Sequence, residues 1–401
     1  MQKNNNELNN IYKAENSGEK TPQKAKRKVT AKAVVAVVLS VFILFMSVLS
    51  VALPDKTFSE NENKYLNGFP EFSLDSLFSG DYIAKVETYL QEHFPYRDFF
   101  VGGKADVEIA LGKDQNNGVY YGKDGYLIQQ FYASSQADLD KKIATINNFI
   151  EKLDGVNVTV SLAPSSNLVN GDKLPDNRPD DDIQAVLDYI NGEINGNIAN
   201  LSTTLTEINK VQQLYFKTDH HWNTYGAYYA YAEIMKSMGE TPIPISEYEK
   251  VVLSTDFKGT MFSQGGFFNV AGEEFTFLQN KNPASLVVDY GVTGGVTDTL
   301  FSDKYLTEKD KYAYFLDGNH PMVTVKNENA PIDKHILIVK DSYANIMVPF
   351  LADSFSEITI VDLRFYAGSI SDYVAEYGVD EVVILYNIDG FQTDTGIFKL
   401  R

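Results

Sequence analysis

His335-Ile336-Leu337-Ile338-Val339-Lys340-Asp341-Ser342 is the stretch that decides the fold. Four consecutive apolar residues, Ile336–Val339, stop abruptly at a lysine, an acid and a hydroxyl. So short and uniformly apolar a run reads as a strand covered on both faces. The pattern recurs downstream: Glu357–Val361 (EITIV) ends at Asp362-Leu363-Arg364, and Glu381–Tyr386 (EVVILY) ends at Asn387. Tyr343–Ala352, despite Pro349, and Ile370–Tyr377 read as the helices between them. Strands alternating with helices of this length predict right-handed βαβ units and a parallel sheet flanked by helices.

Upstream, the alternation continues. Ala137–Leu153 carries Leu139, Ile143, Ile146, Phe149 and Ile150 as an apolar stripe. Val156–Ala163 is a predicted strand ending in Pro164-Ser165-Ser166-Asn167, and Asp181–Ile194 a predicted helix. Val211–Phe216 (VQQLYF) is a predicted strand running into Lys217-Thr218-Asp219-His220-His221-Trp222, and Tyr225–Met238 the helix after it. Residues 240–330 break the rhythm with Gly, Thr, Phe and short β-like runs (SLVVDYGV, MVTVKN), and are expected to be a β-rich insertion. Nearer the N-terminus, Asp81–Glu92 has helical spacing, and Gly118–Phe131 reads as a hairpin turning at Lys123-Asp124-Gly125. The expected organisation is a tail (1–32), an apolar anchor (33–53), a membrane-proximal segment with the hairpin (54–135) and an α/β domain (136–401).

Composition narrows the function. The 401 residues include no Cys, 5 His, 25 Tyr and 25 Phe, with a formal charge of −19. Without cysteine there is no disulfide scaffold, no Cys-ligated zinc and no thiol nucleophile. The acidity argues against a nucleic-acid partner, which needs a basic face. Charge is also unevenly placed. Residues 1–32 hold eight basic and three acidic side chains, whereas the other 369 hold 27 basic and 51 acidic. Between them lies Ala33–Leu53 (AVVAVVLSVFILFMSVLSVAL), without a charge, Pro or Gly. At about 1.5 Å per residue it matches a hydrocarbon layer of about 30 Å. Lys24, Lys26, Arg27, Lys28 and Lys32 precede it, which predicts a single-pass cell-membrane protein with a cytoplasmic N-terminus and an extracytoplasmic bulk. The alternative is a cleaved signal peptide, with Ser50-Val51-Ala52 as a small-x-small site.

In open parallel sheets, ligands bind beyond the carboxyl ends of the strands. The polar residues following each predicted strand, Ser165/Ser166/Asn167, Asp219/His220/His221, Asp341/Ser342, Asp362/Arg364 and Asn387, would share one rim. A serine, an imidazole and a carboxylate on one rim are the inventory for nucleophilic acyl transfer: the imidazole takes the hydroxyl proton and the carboxylate orients the ring. Ser342, at a strand-to-helix junction, is the candidate nucleophile; otherwise it is an N-cap. Asp219 and His221, two apart in an extended stretch, would point the same way while His220 faces away. The other readings of this cluster are a metal site or a capping turn. Arg364 is either a rim residue or half of an ion pair, and Asn387 either an oxyanion donor or a turn residue. Trp222 reads as packing, and His93, His320 and His335 as structural.

At these residues the sequence resembles a known family. Thr218-Asp219-His220-His221-Trp222, followed by Gly226-Ala227, resembles the signature of the bacterial DHHW proteins. So do Gly259-Thr260-Met261-Phe262-Ser263, Asp317-Gly318-Asn319-His320-Pro321, and Lys340–Asn345 with Pro349-Phe350-Leu351. The arrangement is also similar to the SGNH hydrolase-like domains of the AlgX/AlgJ-type alginate O-acetylation proteins. That resemblance implies Ser342 as nucleophile, His221 as base and Asp219 as orienting acid. It implies a circular permutation, with the strands at 335, 357 and 381 as the first three of the fold and those at 156 and 211 as the fourth and fifth. Asn387, Arg364, Tyr343, Asn345 and His220 are the oxyanion or substrate candidates. No cofactor and no metal are implied. The expected partners are a cell-surface polysaccharide and a membrane-bound O-acyltransferase that supplies acyl groups. The sequence departs from the SGNH pattern in Lys340 before Asp-Ser, in Asn387-Ile388-Asp389 as the third block and in a D-x-H spacer. The expected function is O-acetylation or deacetylation of that glycan. The alternative is a non-catalytic glycan-binding or assembly protein, which the tyrosines (Tyr120, Tyr121, Tyr225, Tyr228, Tyr229, Tyr343, Tyr366) would also suit.

Overall fold

The structure, a computed structural model, describes residues 30–153, 155–176 and 178–401. The basic tail expected at 1–32 lies outside them but for its last three residues. Ala31–Ala52 is one continuous helix, with Thr30 capping its start. Among the described residues it is the one helix long and apolar enough to cross a membrane.

The centre of the molecule is an eight-stranded mixed sheet. Its strands in chain order are β1 (Asn157–Ala163), β2 (Asn197–Ile198), β3 (Leu286–Asp289), β4 (Val296–Thr297), β5 (Met322–Asn327), β6 (Ile332–Lys340), β7 (Phe355–Val361) and β8 (Glu381–Asn387). Their spatial order is β4-β3-β5-β7-β6-β8-β1-β2. The five from β7 to β2 run parallel, and β3, β4 and β5 pair antiparallel along one edge. The all-apolar strands feed two cores by simple alternation. Ile336, Ile338, Ile358, Ile360, Val383 and Leu385 pack with the helices Thr224–Ser237 and Val348–Ser354 on one face. Leu337, Val339, Val361, Val382, Ile384 and Tyr386 pack with Gln136–Lys152, Ile183–Glu193 and Ile370–Tyr377 on the other.

Three expectations change. The sheet is mixed, because part of the presumed insertion is its edge: β5 pairs antiparallel with β7 and carries β3 and β4 beyond it. Antiparallel strands tolerate one wetter face, hence the weaker apolar pattern of MVTVKN. Val211–Phe216 is not a strand. Local partners satisfy its backbone, with Leu214 N–H donating to Asn209 Oδ1, Leu214 O accepting from Asn223 N–H and Phe216 N–H donating to His221 O. The fifth parallel strand is the two-residue β2. Finally, Tyr343–Ala352 divides into a 3-10 turn, Ser342–Ala344, and a helix, Val348–Ser354. Pro349 stands in the first turn of that helix, where a missing N–H costs nothing.

The hairpin forms as expected. Val119–Tyr121 pairs antiparallel with Leu127–Gln129, joined by Gln115–Asn116 as a third strand. Tyr248–Phe257 and Glu273–Asn280 make a separate antiparallel ribbon.

Candidate active site

Strand order reverses between β6 and β8, since β6 is followed by β7 on one side and by β8 on the other. The crevice beyond such a point is the general ligand site of open α/β sheets. Ser342 opens the 3-10 turn there, one residue past Asp341. Asp341 ties the serine turn to the end of β8: Oδ1 accepts Tyr343 N–H at 2.9 Å and Oδ2 accepts Asn387 N–H at 2.8 Å. Burial pushes this carboxyl up to about 6, against those two donors.

The chain at Lys217–His221 bends rather than extends. Asp219 Oδ1 accepts the His221 backbone N–H at 2.9 Å and lies 2.6 Å from His221 Nδ1. The two side chains therefore meet through a turn closed by the aspartate, not through strand alternation. His221 Nε2 lies 2.9 Å from Ser342 Oγ. An ionised carboxylate only accepts, so Nδ1 carries the ring proton and Nε2 is left to accept the serine hydroxyl. Burial works to raise the Asp219 pKa, but the two imidazoles and its N–H donors outweigh it and hold the group below the usual carboxylate range.

Residues far away in sequence complete the cluster. Thr260 N–H donates to Asp219 Oδ2 at 2.7 Å. Gly259 comes so near that a Cβ there would lie 2.2 Å from the same oxygen. Glu273 Oε1 accepts from Lys217 N–H at 2.7 Å, Thr218 N–H at 2.9 Å and Thr218 Oγ1–H at 3.1 Å, which fixes the start of the loop. Burial raises its pKa to about 7 despite those donors. Tyr312 stacks on the His221 ring at 3.8 Å and 10°, and its hydroxyl donates to Ser342 O at 3.0 Å. Trp222, fully buried, donates from Nε1 to Tyr343 O at 2.9 Å, and Tyr343 Oη–H donates back to His220 O. These two bonds lace the histidine loop to the serine turn.

Of the other candidates, His220, Tyr343, Arg364 and Asn387 line a cleft of about 530 Å³ with Ser342. His220 does not face away: its ring packs at 3.9 Å on that of His221. Burial, and then the charge of His221, push its pKa down to about 4. Arg364 is also half of an ion pair, with Nε and Nη2 on the Asp362 carboxylate at 2.9 and 2.6 Å. Asn387 caps the helix Ile388–Thr393 through Oδ1 and donates from Nδ2 to Ala163 O at 3.2 Å. Asn345 does not line the cleft. It accepts Lys340 Nζ–H at 2.8 Å and donates to Gly318 O and Asn319 Oδ1. That network explains Lys340, whose ammonium is buried among Asn345, Asn319 and, at 3.5 Å, Asp362, and pushed down by burial to about 8. Tyr120 and Tyr228 are buried packing residues.

Asp219, His220 and His221 offer ligand atoms within 4.8 Å of one another. Both His221 nitrogens are already engaged, so a cation there would take the ring away from Asp219 or from Ser342. No short-range spacing signals Gly259, Thr260, Glu273 or Tyr312 as site residues. The first two lie inside a recognised block, but only folding brings them to Asp219.

Fold and site define an α/β protein with a serine, an imidazole and a carboxylate in hydrogen-bonded series at the strand-order switch of its sheet. Residues 107–361 match the family model of the DHHW protein, and the chain belongs to that family. A DHHW family protein from Eubacterium siraeum has the same fold, at a TM-score of 0.62 and 22% identity over 71% of this chain and 95% of that one. PatB1 from Bacillus cereus follows at 0.58 and 25% identity, over 69% and 98%. PatB1 has also been solved with a sulfonyl adduct. The O-acetyltransferase domain of AlgJ from Pseudomonas putida is more distant, at 0.45 and 14%, over 69% and 93%. No curated protein matches the sequence.

Proposed function

We propose that the protein is a membrane-anchored, extracytoplasmic serine acyltransferase or esterase of SGNH type that acetylates, or deacetylates, a cell-surface polysaccharide. The observation that carries this function is the unbroken series Ser342 Oγ, His221 and Asp219, at 2.9 and 2.6 Å. Counted from β6, the parallel strands stand in the order 2-1-3-4-5, which supports a circularly permuted form of the fold with β2, rather than residues 211–216, as its fifth strand. Residues 33–53 are the anchor, 54–135 the membrane-proximal segment and 136–401 the catalytic domain.

Ser342 Oγ attacks the acyl carbonyl of a donor ester while its proton passes to His221 Nε2. The tetrahedral intermediate collapses, the leaving group takes that proton, and the acyl group remains as an ester on Ser342. A sugar hydroxyl then attacks, gives its proton to His221 and leaves acylated, and the proton returns to Ser342 Oγ. With water in its place, the product is free carboxylate. Asp219 stabilises the imidazolium at both stages. The Ser342 N–H, with Asn387 or Arg364, would stabilise the oxyanion, at about 3 kcal/mol per donor. A membrane-bound O-acyltransferase would supply the acyl group from across the bilayer.

Labelling of the solubilised full-length protein with a fluorophosphonate tests this function. Wild type should label and turn over p-nitrophenyl acetate, Ser342→Ala should do neither, and chelators should change neither. A wild type that neither labels nor turns over would leave a glycan-binding protein with the same fold.

A further inference from the structure

The cleft that holds Ser342 has a wall the chemistry above does not use. Gln129, Gln130, Tyr132 and Ser134, at and beyond the end of the hairpin, face it together with Gln392, Thr393 and Asp394. The two stretches are joined, since Ser134 N–H donates to Gln392 Oε1 at 2.6 Å. Lys142, only 4% exposed, holds the second stretch, donating from Nζ to the carbonyls of Phe391, Gln392 and Asp394 at 2.6, 3.0 and 2.6 Å. The wall is thus built before any ligand arrives, from neutral amides, hydroxyls, one aromatic ring and, at its end, the Asp394 carboxyl. That ring, Tyr132, is 55% exposed although it lines a cleft.

The charges facing the cleft do not suit an anion. Among the described residues, three carboxyl groups line it, Asp341, Asp389 and Asp394, against one fixed cation, Arg364. Burial raises Asp341 to about 6 and Asp389 to about 7, so the negative excess is complete only above neutral pH. Arg364 is already chelated by Asp362, and His220 is held neutral at physiological pH by its burial. Flat rings and side-chain amides are the groups that recognise a sugar, whose faces are C–H and whose edges are hydroxyl or acetamido.

We propose that Gln129, Gln130, Tyr132 and Gln392 form the acceptor subsite, and that it takes an uncharged polysaccharide chain of hexose or N-acetylhexosamine units. One sugar face lies on Tyr132, and the amides take the hydroxyl and acetamido groups. A uronate or phosphate-bearing chain would meet like charge instead. This subsite deepens the acyl-transfer function and takes its meaning from it, but sugar binding itself does not need Ser342.

Binding is therefore measured on full-length Ser342→Ala protein, with cellopentaose, N-acetylchitopentaose and pentagalacturonate at low ionic strength. A neutral pentasaccharide should bind at least about tenfold tighter than pentagalacturonate. Adding Tyr132→Ala should weaken the neutral sugar about tenfold, and Tyr132→Phe should restore most of the loss. Equal or tighter binding of pentagalacturonate, or an unchanged Kd in Tyr132→Ala, would overturn the subsite. Neutral-sugar selectivity in a protein whose wild type never labels with fluorophosphonate would leave the subsite standing and remove the acyl transfer. Labelling without selectivity would do the reverse.

Discussion

At the scale of single residues, Asp219 sets the state of His221. Asn in its place would present an N–H or a carbonyl to Nδ1 with nearly equal ease, and the ring would lose its fixed tautomer. Asp219→Asn should lower kcat/KM for p-nitrophenyl acetate roughly 10³–10⁴-fold with the fold intact, as judged by near-UV circular dichroism. An effect below tenfold would remove the aspartate from the reaction. Gly259 makes a second, quieter claim. A methyl group there cannot coexist with an Asp219 oxygen 2.2 Å away, and the obstacle is a buried carboxylate rather than a mobile surface chain. Gly259→Ala should therefore reduce kcat by displacing Asp219, while serine labelling slows in parallel. A variant that crystallises with the Asp219–His221 contact unmoved would contradict this. The serine, histidine and aspartate were legible in the sequence because two of them sit within three residues and the third follows a strand. Gly259 and Tyr312 were not legible as site residues, because their relation to the site runs through space across 40 to 90 residues.

At the scale of elements, the two loops that carry the site are held by each other. Trp222 donates to the carbonyl of Tyr343, and Tyr343 donates to the carbonyl of His220. Trp222→Phe keeps most of the ring volume and removes one donor, leaving a buried carbonyl with only a weaker, 3.4 Å partner in Tyr312. The loss should be about 1–3 kcal/mol of unfolding free energy, with kcat falling more than KM rises because the serine turn loosens. Unchanged urea midpoint and unchanged kcat would show that the indole only fills space. The apolar strand cores of β1, β6, β7 and β8 lie within or around the runs expected from the sequence, since strands buried on both faces carry an unmistakable pattern. Residues 211–216 misled because VQQLYF has strand composition, yet their backbone partners come from Asn209, Asn223 and His221 within the same connection. Strand β2 escaped because two residues leave no pattern.

At the scale of the whole molecule, charge and burial act together. Glu273 and Asp389 are raised to about 7 by burial, and Asp341 and Asp353 to about 6. The folded protein holds these protons more tightly than the unfolded chain does. Their contribution to stability is full below the ordinary carboxylate range near 4 and is lost as pH rises through 6 to 7. The net charge of −19 adds repulsion in the same direction. Thermal unfolding should come at a higher temperature at pH 5 than at pH 7.5. Glu273→Gln should flatten that slope by on the order of 2–3 kcal/mol of unfolding free energy, the equivalent of its raised pKa. A midpoint that climbs steadily from pH 5 to 7.5 would show that these carboxyls are not protonated in the folded state.

What the sequence determined by itself was local in origin. The uncharged 21-residue run, the all-apolar strands and the polar residue after each of them are set by neighbours along the chain. The tertiary structure alone decided that the presumed insertion would build the antiparallel edge of the sheet and supply Gly259, Thr260, Glu273 and Tyr312 around Asp219 and His221. Such contacts depend on how separate surfaces fit, and no periodicity in a single chain encodes which distant backbone N–H will meet a buried carboxylate.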